Sequence, residues 1–371
     1  ASGRGCSGWR SGASVAESAL THYADYRANR TFGSLDGLRA LAILAVVWHH
    51  AGPRYAWVAT ERGFLGVDLF FVISGFLIVT LLLRERDANG AIVLPSFYMR
   101  RFLRIFPLYY GALALYWSVA QWKGGVLAEG IAHDLPYAAT YVSNWVPMSS
   151  LLVITWSLSA EEQFYLVWPA VEKLGARAAC WLLGAGLAAC VTLQLLSHAA
   201  VLEGWPDFLG GSSFTPILIG VALAHAMHAP AGFARVRRWL GGAAAAPISL
   251  GLLTALCSIP NDRFGGVHRV ATAVACGVLV AACVVREDNG LARLLRRRWV
   301  ARLGVVSYGV YLLHEIPGLA VTYATRRLQV NAPWLEFFVV WGVAWCLAEF
   351  SYRTYERFFL RLKARWSVAG S

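Results

Sequence analysis

The chain has 371 residues, of which 58% are hydrophobic and 15% charged, and its mean hydropathy is +0.52. This balance excludes an ordinary soluble domain and predicts an all-α, polytopic membrane helix bundle. The net charge of +12 is not read as a nucleic-acid signal, because the arginines are confined to short connections between apolar runs, which is the membrane orientation pattern.

Sixteen Trp, fifteen Tyr and eighteen Phe fit helices with aromatic belts at the headgroup level. Seven Cys show no Cys-x-x-Cys pair, and all but Cys6 lie in or beside apolar segments. They are expected to be packing thiols rather than disulfides or metal ligands.

Residues 1–34 have no apolar signal-peptide core and are expected to form a cytoplasmic tail. Apolar runs long enough to span fall at about 35–54, 64–83, 105–121, 156–174, 178–197, 211–228, 244–260, 267–285, 303–324 and 334–353. They predict about ten transmembrane helices, with eleven as the alternative, in a domain over residues 35–358, and a short cytoplasmic tail at 359–371. Arginines and lysines concentrate after the second, fourth, sixth and eighth runs, from Arg84 to Arg104, at Lys173 and Arg177, at Arg235 to Arg238, and at Arg286 to Arg302. That alternation puts both termini in the cytoplasm. The loop at about 122–155 is then the largest outer connection, lying in the interface or re-entering the membrane.

The first run, SLDGLRALAILAVVWHHAG, carries Asp36 and Arg39 at one end and His49 and His50 at the other. Ionisable groups inside a span are costly and mark function by default. At about 100° per residue, the step from Arg39 to His50 returns to within roughly 20° of the same face, about 16 Å along the axis. Asp36 falls near that face, whereas His49 is turned roughly 80° from Arg39. His50 suits proton transfer near neutral pH, and Arg39 suits phosphate or a thioester oxygen.

In the second run, GFLGVDLFFVISGFLIV, Asp68 is the only charge and is expected at the depth of His50, pairing with it or else with Arg62 or backbone. Gly66, Ser74 and Gly75 are read as small residues that allow close helix packing. Arg101 and Arg104, in FYMRRFLRIFPLYY, share a helix face and are read either as orientation charges or as a clamp for the phosphates of a nucleotide-bearing cofactor. Glu161 and Glu162 open the fourth run, where one acid suffices to cap the helix with Ser159 and the other is free to face the cavity of His50. Late in the chain, YLLHEIP puts His314 inside a span, as packed group or catalyst, with Pro317 expected to kink the helix. There is no phosphate-binding loop, Rossmann fingerprint, serine elbow or His-Glu-x-x-His.

Together, SLDGLRALAILAVVWHH, GFLGVDLFFVISGFLI, FYMRRFLRIFPLYY, TWSLSAEEQFYLVWP, SYGVYLLHEIP and SYRTYER resemble the membrane acyltransferase-3 family, which includes O-acetyltransferases of bacterial surface polysaccharides. The resemblance implies a multi-pass enzyme of the cell membrane that takes an acyl group, usually acetyl, from cytoplasmic acyl-CoA and places it on a hydroxyl of a sugar, glycan or glycosylated small molecule. It maps the family's Arg-x10-His onto Arg39 and His50 and its Arg-x-x-Arg onto Arg101 and Arg104. Some members carry an extracytoplasmic hydrolase-like domain after the last span; here the sequence stops soon after SYRTYER, so transfer is expected to finish within the membrane domain.

The expected mechanism docks acyl-CoA with its phosphates near Arg101 and Arg104 and its arm along Arg39. His50 acts as general base or acyl carrier, held by Asp36, Asp68 or a Glu of the 161/162 pair. No metal is expected. The rival reading is a proton-coupled transporter or flippase using the same buried ionisable groups, which the lack of any internal repeat disfavours.

Overall fold

A computed structural model describes residues 20–29, 31–53, 62–198, 214–259 and 265–366. Among the described residues every regular element is a helix. In chain order these are α1 (Leu20–Ala28), α2 (Gly33–Ala51), α3 (Gly66–Asn89), α4 (Leu94–Lys123), α5 (Gly125–Ala139), α6 (Thr155–Lys173), α7 (Ala176–His198) and α8 (Phe214–His228). They continue as α9 (Pro230–Leu240), α10 (Ala245–Cys257), α11 (Gly265–Val285), α12 (Arg298–Leu313), α13 (Glu315–Leu328), α14 (Pro333–Ser351) and α15 (Arg357–Lys363).

The described part of each of the ten apolar runs falls on one of these helices, or on the α12/α13 pair, while residues 54, 211–213 and 260 lie outside the described residues. Four helical stretches among the described residues are long and apolar enough to cross a membrane: Gly63–Asn89, Ala176–Leu196, Gly266–Val285 and Pro333–Lys363. Three bent pairs raise the number to seven if each counts as one span. The sequence count of ten is larger because it also admitted the runs on α4, α6 and α10: α10 is only 13 residues long, whereas α4 and α6 have the length but are too polar to count.

The centre of the bundle is α3, most of whose residues are buried. It packs against α8 through small residues on both sides. A Cβ on Gly75 would run into the carbonyl of Ile217, and one on Gly220 into that of Val72. Without a hydrophobic drive between helices in lipid, such backbone approach is a principal source of cohesion. Gly66 serves likewise against the carbonyl of Ala42, and Gly304 of α12 sits on the carbonyl of Asp36. Ser74 does more than save space, since its hydroxyl donates to Glu161.

Charges tie one end of the bundle together. Arg84 donates to the carbonyls of Asn29 and Tyr26 at 2.6 and 2.8 Å, Arg100 to Glu85 at 2.9 Å, and Arg302 to Glu349 at 2.8 Å. Through these contacts α1 docks on the bundle, with Tyr26 stacked on Phe233 of α9.

The connection at 122–155 is mostly structured: α5 is followed by a 3-10 turn at Leu151–Ile154. Its anchor is the buried Asp134, which accepts the amides of Ser149 and Ser150 at 3.0 and 2.8 Å and lies 2.8 Å from Nδ1 of His133. Burial alone would raise this carboxyl; the imidazole and the two amides hold it below the ordinary aspartate value. Where Pro317 was expected to kink the ninth run, α12 and α13 meet at His314 with a 59° bend. Proline has no N–H to give the carbonyl four residues back, so the helix ladder ends there.

Candidate active site

A cavity of about 460 Å³ runs through the bundle between α2, α3, α4, α6 and α12. On α3 its wall extends from Val67 to Arg84, roughly 25 Å of helix axis at 1.5 Å per residue. Arg39, Arg84, Arg101, Arg104 and Lys363 face it, as do Asp36, Glu161 and Glu162.

The acids are partly committed. Asp36 accepts from Arg39 at 3.2 Å, and Glu161 accepts from the hydroxyls of Ser74 and Tyr165. The Arg101 guanidinium lies over the Tyr165 ring, 5.2 Å from its centroid, and 5.7 Å from that of Phe97. Among the described residues no carboxylate comes within ion-pair distance of Arg101, Arg104 or Lys363. Three cations without a counter-ion, facing one chamber, make a site for a multiply charged anion.

At the far end of α2 stands a second cluster. Nε2 of His50 lies 3.6 Å from Oε1 of Glu315, and Nε2 of His314 lies 3.4 Å from the same atom. The two imidazole rings meet edge to face, 4.9 Å between centroids. Each ring is pinned through its other nitrogen: Nδ1 of His50 donates to the carbonyl of Val46 at 2.8 Å, and Nδ1 of His314 to that of Tyr311 at 2.7 Å. A carbonyl only accepts, so both Nδ1 atoms carry hydrogen, and in the neutral rings the lone pair sits on Nε2. The helix break exposes these groups to one another, because His314 ends α12 and Glu315 begins α13.

Tyr311 stands between the two regions. It lines the cavity, and its ring centroid is 5.9 Å from that of His314. Its hydroxyl donates to the carbonyl of Ile154 at 2.8 Å and lies 2.7 Å from Oγ of Ser157.

Of the residues singled out in the sequence, Arg39, Asp36, Arg101, Arg104, Glu161 and Glu162 are brought to one cavity. His50 and His314 come together beyond its end. Asp68 does not join them. Gly66 packs against Ala42 and Gly63 against Ala45, so antiparallel α3 sets Asp68 level with about residue 40, roughly ten residues and 15 Å from the level of His50. Asp68 is 7% exposed and feels the charge of Arg269 on α11. The carboxylate at the imidazoles is Glu315, which the sequence offered only as the neighbour of His314. Its signal was an acid inside an apolar span, next to a proline-broken ladder. Lys363 and Tyr311 had no sequence signal of their own.

Comparison with known proteins shows the family of the chain. A peptidoglycan O-acetyltransferase of Listeria monocytogenes, OatA, is 28% identical over 358 residues, covering 87% of this chain and 55% of its own length. YrhL of Bacillus subtilis, provisionally named a peptidoglycan O-acetyltransferase, is 28% identical over 380 residues, with 89% and 55% covered. A protein of Staphylococcus aureus provisionally named an O-acetyltransferase is 37% identical over 164 residues, 40% of this chain and 26% of its own. The chain thus spans about half the length of the first two of these relatives. No solved structure gives a significant match. The profile of the acyltransferase-domain family matches residues 32–348, from the start of α2 to the end of α14, and the chain belongs to the acyltransferase-3 family.

Proposed function

We propose that this chain is a membrane O-acyltransferase that moves an acetyl group from acyl-CoA to a hydroxyl of a cell-envelope glycan, with peptidoglycan the acceptor suggested by its named relatives. The observation that carries the donor is the cavity end where Arg101, Arg104 and Lys363 lack counter-ions. Phosphates and a phosphorylated ribose are the ligands such a cluster suits. The donor enters from the arginine-rich side, which by the distribution of basic residues is the cytoplasmic side of the cell membrane, with both termini facing it.

Arg39, held by Asp36 and lining the same wall, follows the donor arm inward. His50 takes the proton of the acceptor hydroxyl on its bare Nε2 as the oxygen attacks the thioester carbonyl, and Glu315 stabilises the imidazolium that forms. The CoA thiolate leaves and takes that proton back. His314 carries the second bare nitrogen beside the same carboxylate.

The transporter or flippase reading is set aside, because the family match over residues 32–348 is to acyltransferases. The test is to offer labelled acetyl-CoA and peptidoglycan glycan strands to the chain purified in lipid nanodiscs. Ester formation that consumes thioester supports the assignment. Donor binding with no transfer to any hydroxyl-bearing glycan overturns it.

A further inference from the structure

The histidine pair and its carboxylate have a second chemical capacity. The two Nε2 atoms and a Glu315 oxygen all fall within 4.8 Å of one another, with the nitrogen-to-oxygen separations at 3.6 and 3.4 Å. Donors about 2.0–2.1 Å from a tetrahedral Zn²⁺ stand about 3.4 Å apart, so the two nitrogen-to-oxygen edges already match a zinc site, and binding draws the two imidazole nitrogens together from a separation within 4.8 Å. Both imidazoles donate Nδ1–H to a backbone carbonyl. That is the usual way a metal-bound histidine is oriented, since it aims the Nε2 lone pair at the ion.

A further observation points to a ligand there. His314 is 1% exposed and its Nε2 has no hydrogen-bond partner among the described residues. A buried polar atom left in this way costs stability unless something occupies it. His50 and Glu315 are partly exposed, which leaves a way in for a hydrated ion.

We propose that His50, His314 and Glu315 bind a divalent transition cation of the Zn²⁺ type through two imidazole nitrogens and one carboxylate oxygen, with the remaining position open to water. Borderline-soft ions favour this donor set over Mg²⁺ or Ca²⁺, which take oxygen ligands. The bound ion uses the lone pair of His50 that would accept the acceptor's proton, so metal binding inhibits acyl transfer. The binding claim stands without the acyltransferase reading; the inhibition claim rests on it.

The experiment uses the full chain, stripped with a chelator and titrated with Co²⁺ by ligand-field absorption and with Zn²⁺ by calorimetry. The expected result is saturable binding of one ion per chain. His314→Gln and Glu315→Gln should each weaken it by at least the ~10–100-fold that loss of an outer-shell partner costs. His133→Ala, which alters an exposed imidazole in the outer connection, should leave it unchanged. Two ligand variants are used so that misfolding of one, seen as a lost thermal transition, leaves the other to decide. Absence of saturable binding, or full affinity in the folded ligand variants, overturns the site. In the transfer assay Zn²⁺ should lower the rate and chelator restore it; a rate that falls with chelator and rises with Zn²⁺ overturns the inhibitory role.

Discussion

The two ends of this molecule present charge in opposite ways. At the arginine-rich end, long side chains from α2, α3, α4 and α15 converge on one chamber, and three of their cations have no carboxylate partner among the described residues. At the other end, three compact groups sit within 4.8 Å, two of them pinned to backbone carbonyls within their own helix. Flexible cations tolerate variation in where an anion sits. Proton transfer needs hydrogen-bond reach and a fixed ring, so it is built on short tethers. On the proposed assignment the same bundle holds an adaptable region for binding and a stiff one for chemistry, with Tyr311 between them.

His50 is where that contrast is most exposed to test. His50→Ala should lower transfer by about 10²–10⁴-fold, the usual worth of a general base, while donor affinity measured by equilibrium binding stays unchanged. Near-normal turnover in folded variant protein would dissolve the division of labour. Glu315→Gln keeps the shape but removes the charge that stabilises the imidazolium. By the ~1.5–3 kcal/mol typical of a charged hydrogen bond, turnover should fall about 10–100-fold with little change in donor KM.

Arg101→Ala tests the other end. It should raise the donor dissociation constant by about 10–100-fold on the same energetic grounds and leave turnover at saturation close to the parent value. A fall in turnover without loss of affinity would move Arg101 from binding to chemistry. The smallest effect is expected in the outer connection. Asp134→Ala removes the charged acceptor of two part-buried amides and should lower stability by ~1–3 kcal/mol, read as a lower thermal midpoint. Because the folded carboxyl is held below its ordinary value, its contribution is present above the ordinary aspartate range and is lost as pH falls through the folded value. The gap between parent and variant midpoints should therefore narrow on acidification.

Much of the binding region was legible in the sequence. Arg39, Asp36, Arg101, Arg104 and the acid pair at 161 and 162 stand out as charges in apolar segments, and helical phase alone groups several of them. The partner of His50 was not legible, for a geometric reason. Equal depth for His50 and Asp68 assumes that neighbouring helices enter the membrane at matched heights. Contacts at Gly63, on the 3-10 turn Gly63–Leu65, and at Gly66, the first residue of α3, instead set Asp68 far along α2 from His50. Glu315 was hidden because the consequence of Pro317 is three-dimensional: the bend brings the first residue of α13 to a histidine 265 positions earlier in the chain. Helix α5 was hidden between paired glycines and a turn-rich segment, where local composition reads as loop.

The break at His314 has a wider consequence for how sequences of this kind are compared. A ring that carries no amide hydrogen, two positions past an acid, decides which imidazole that acid meets on another helix. Replacing Pro317 would leave every titrating residue in the sequence while allowing the backbone to run straight and carry Glu315 round the cylinder. Two chains with the same reactive side chains can therefore differ in competence through a residue that has no chemistry of its own.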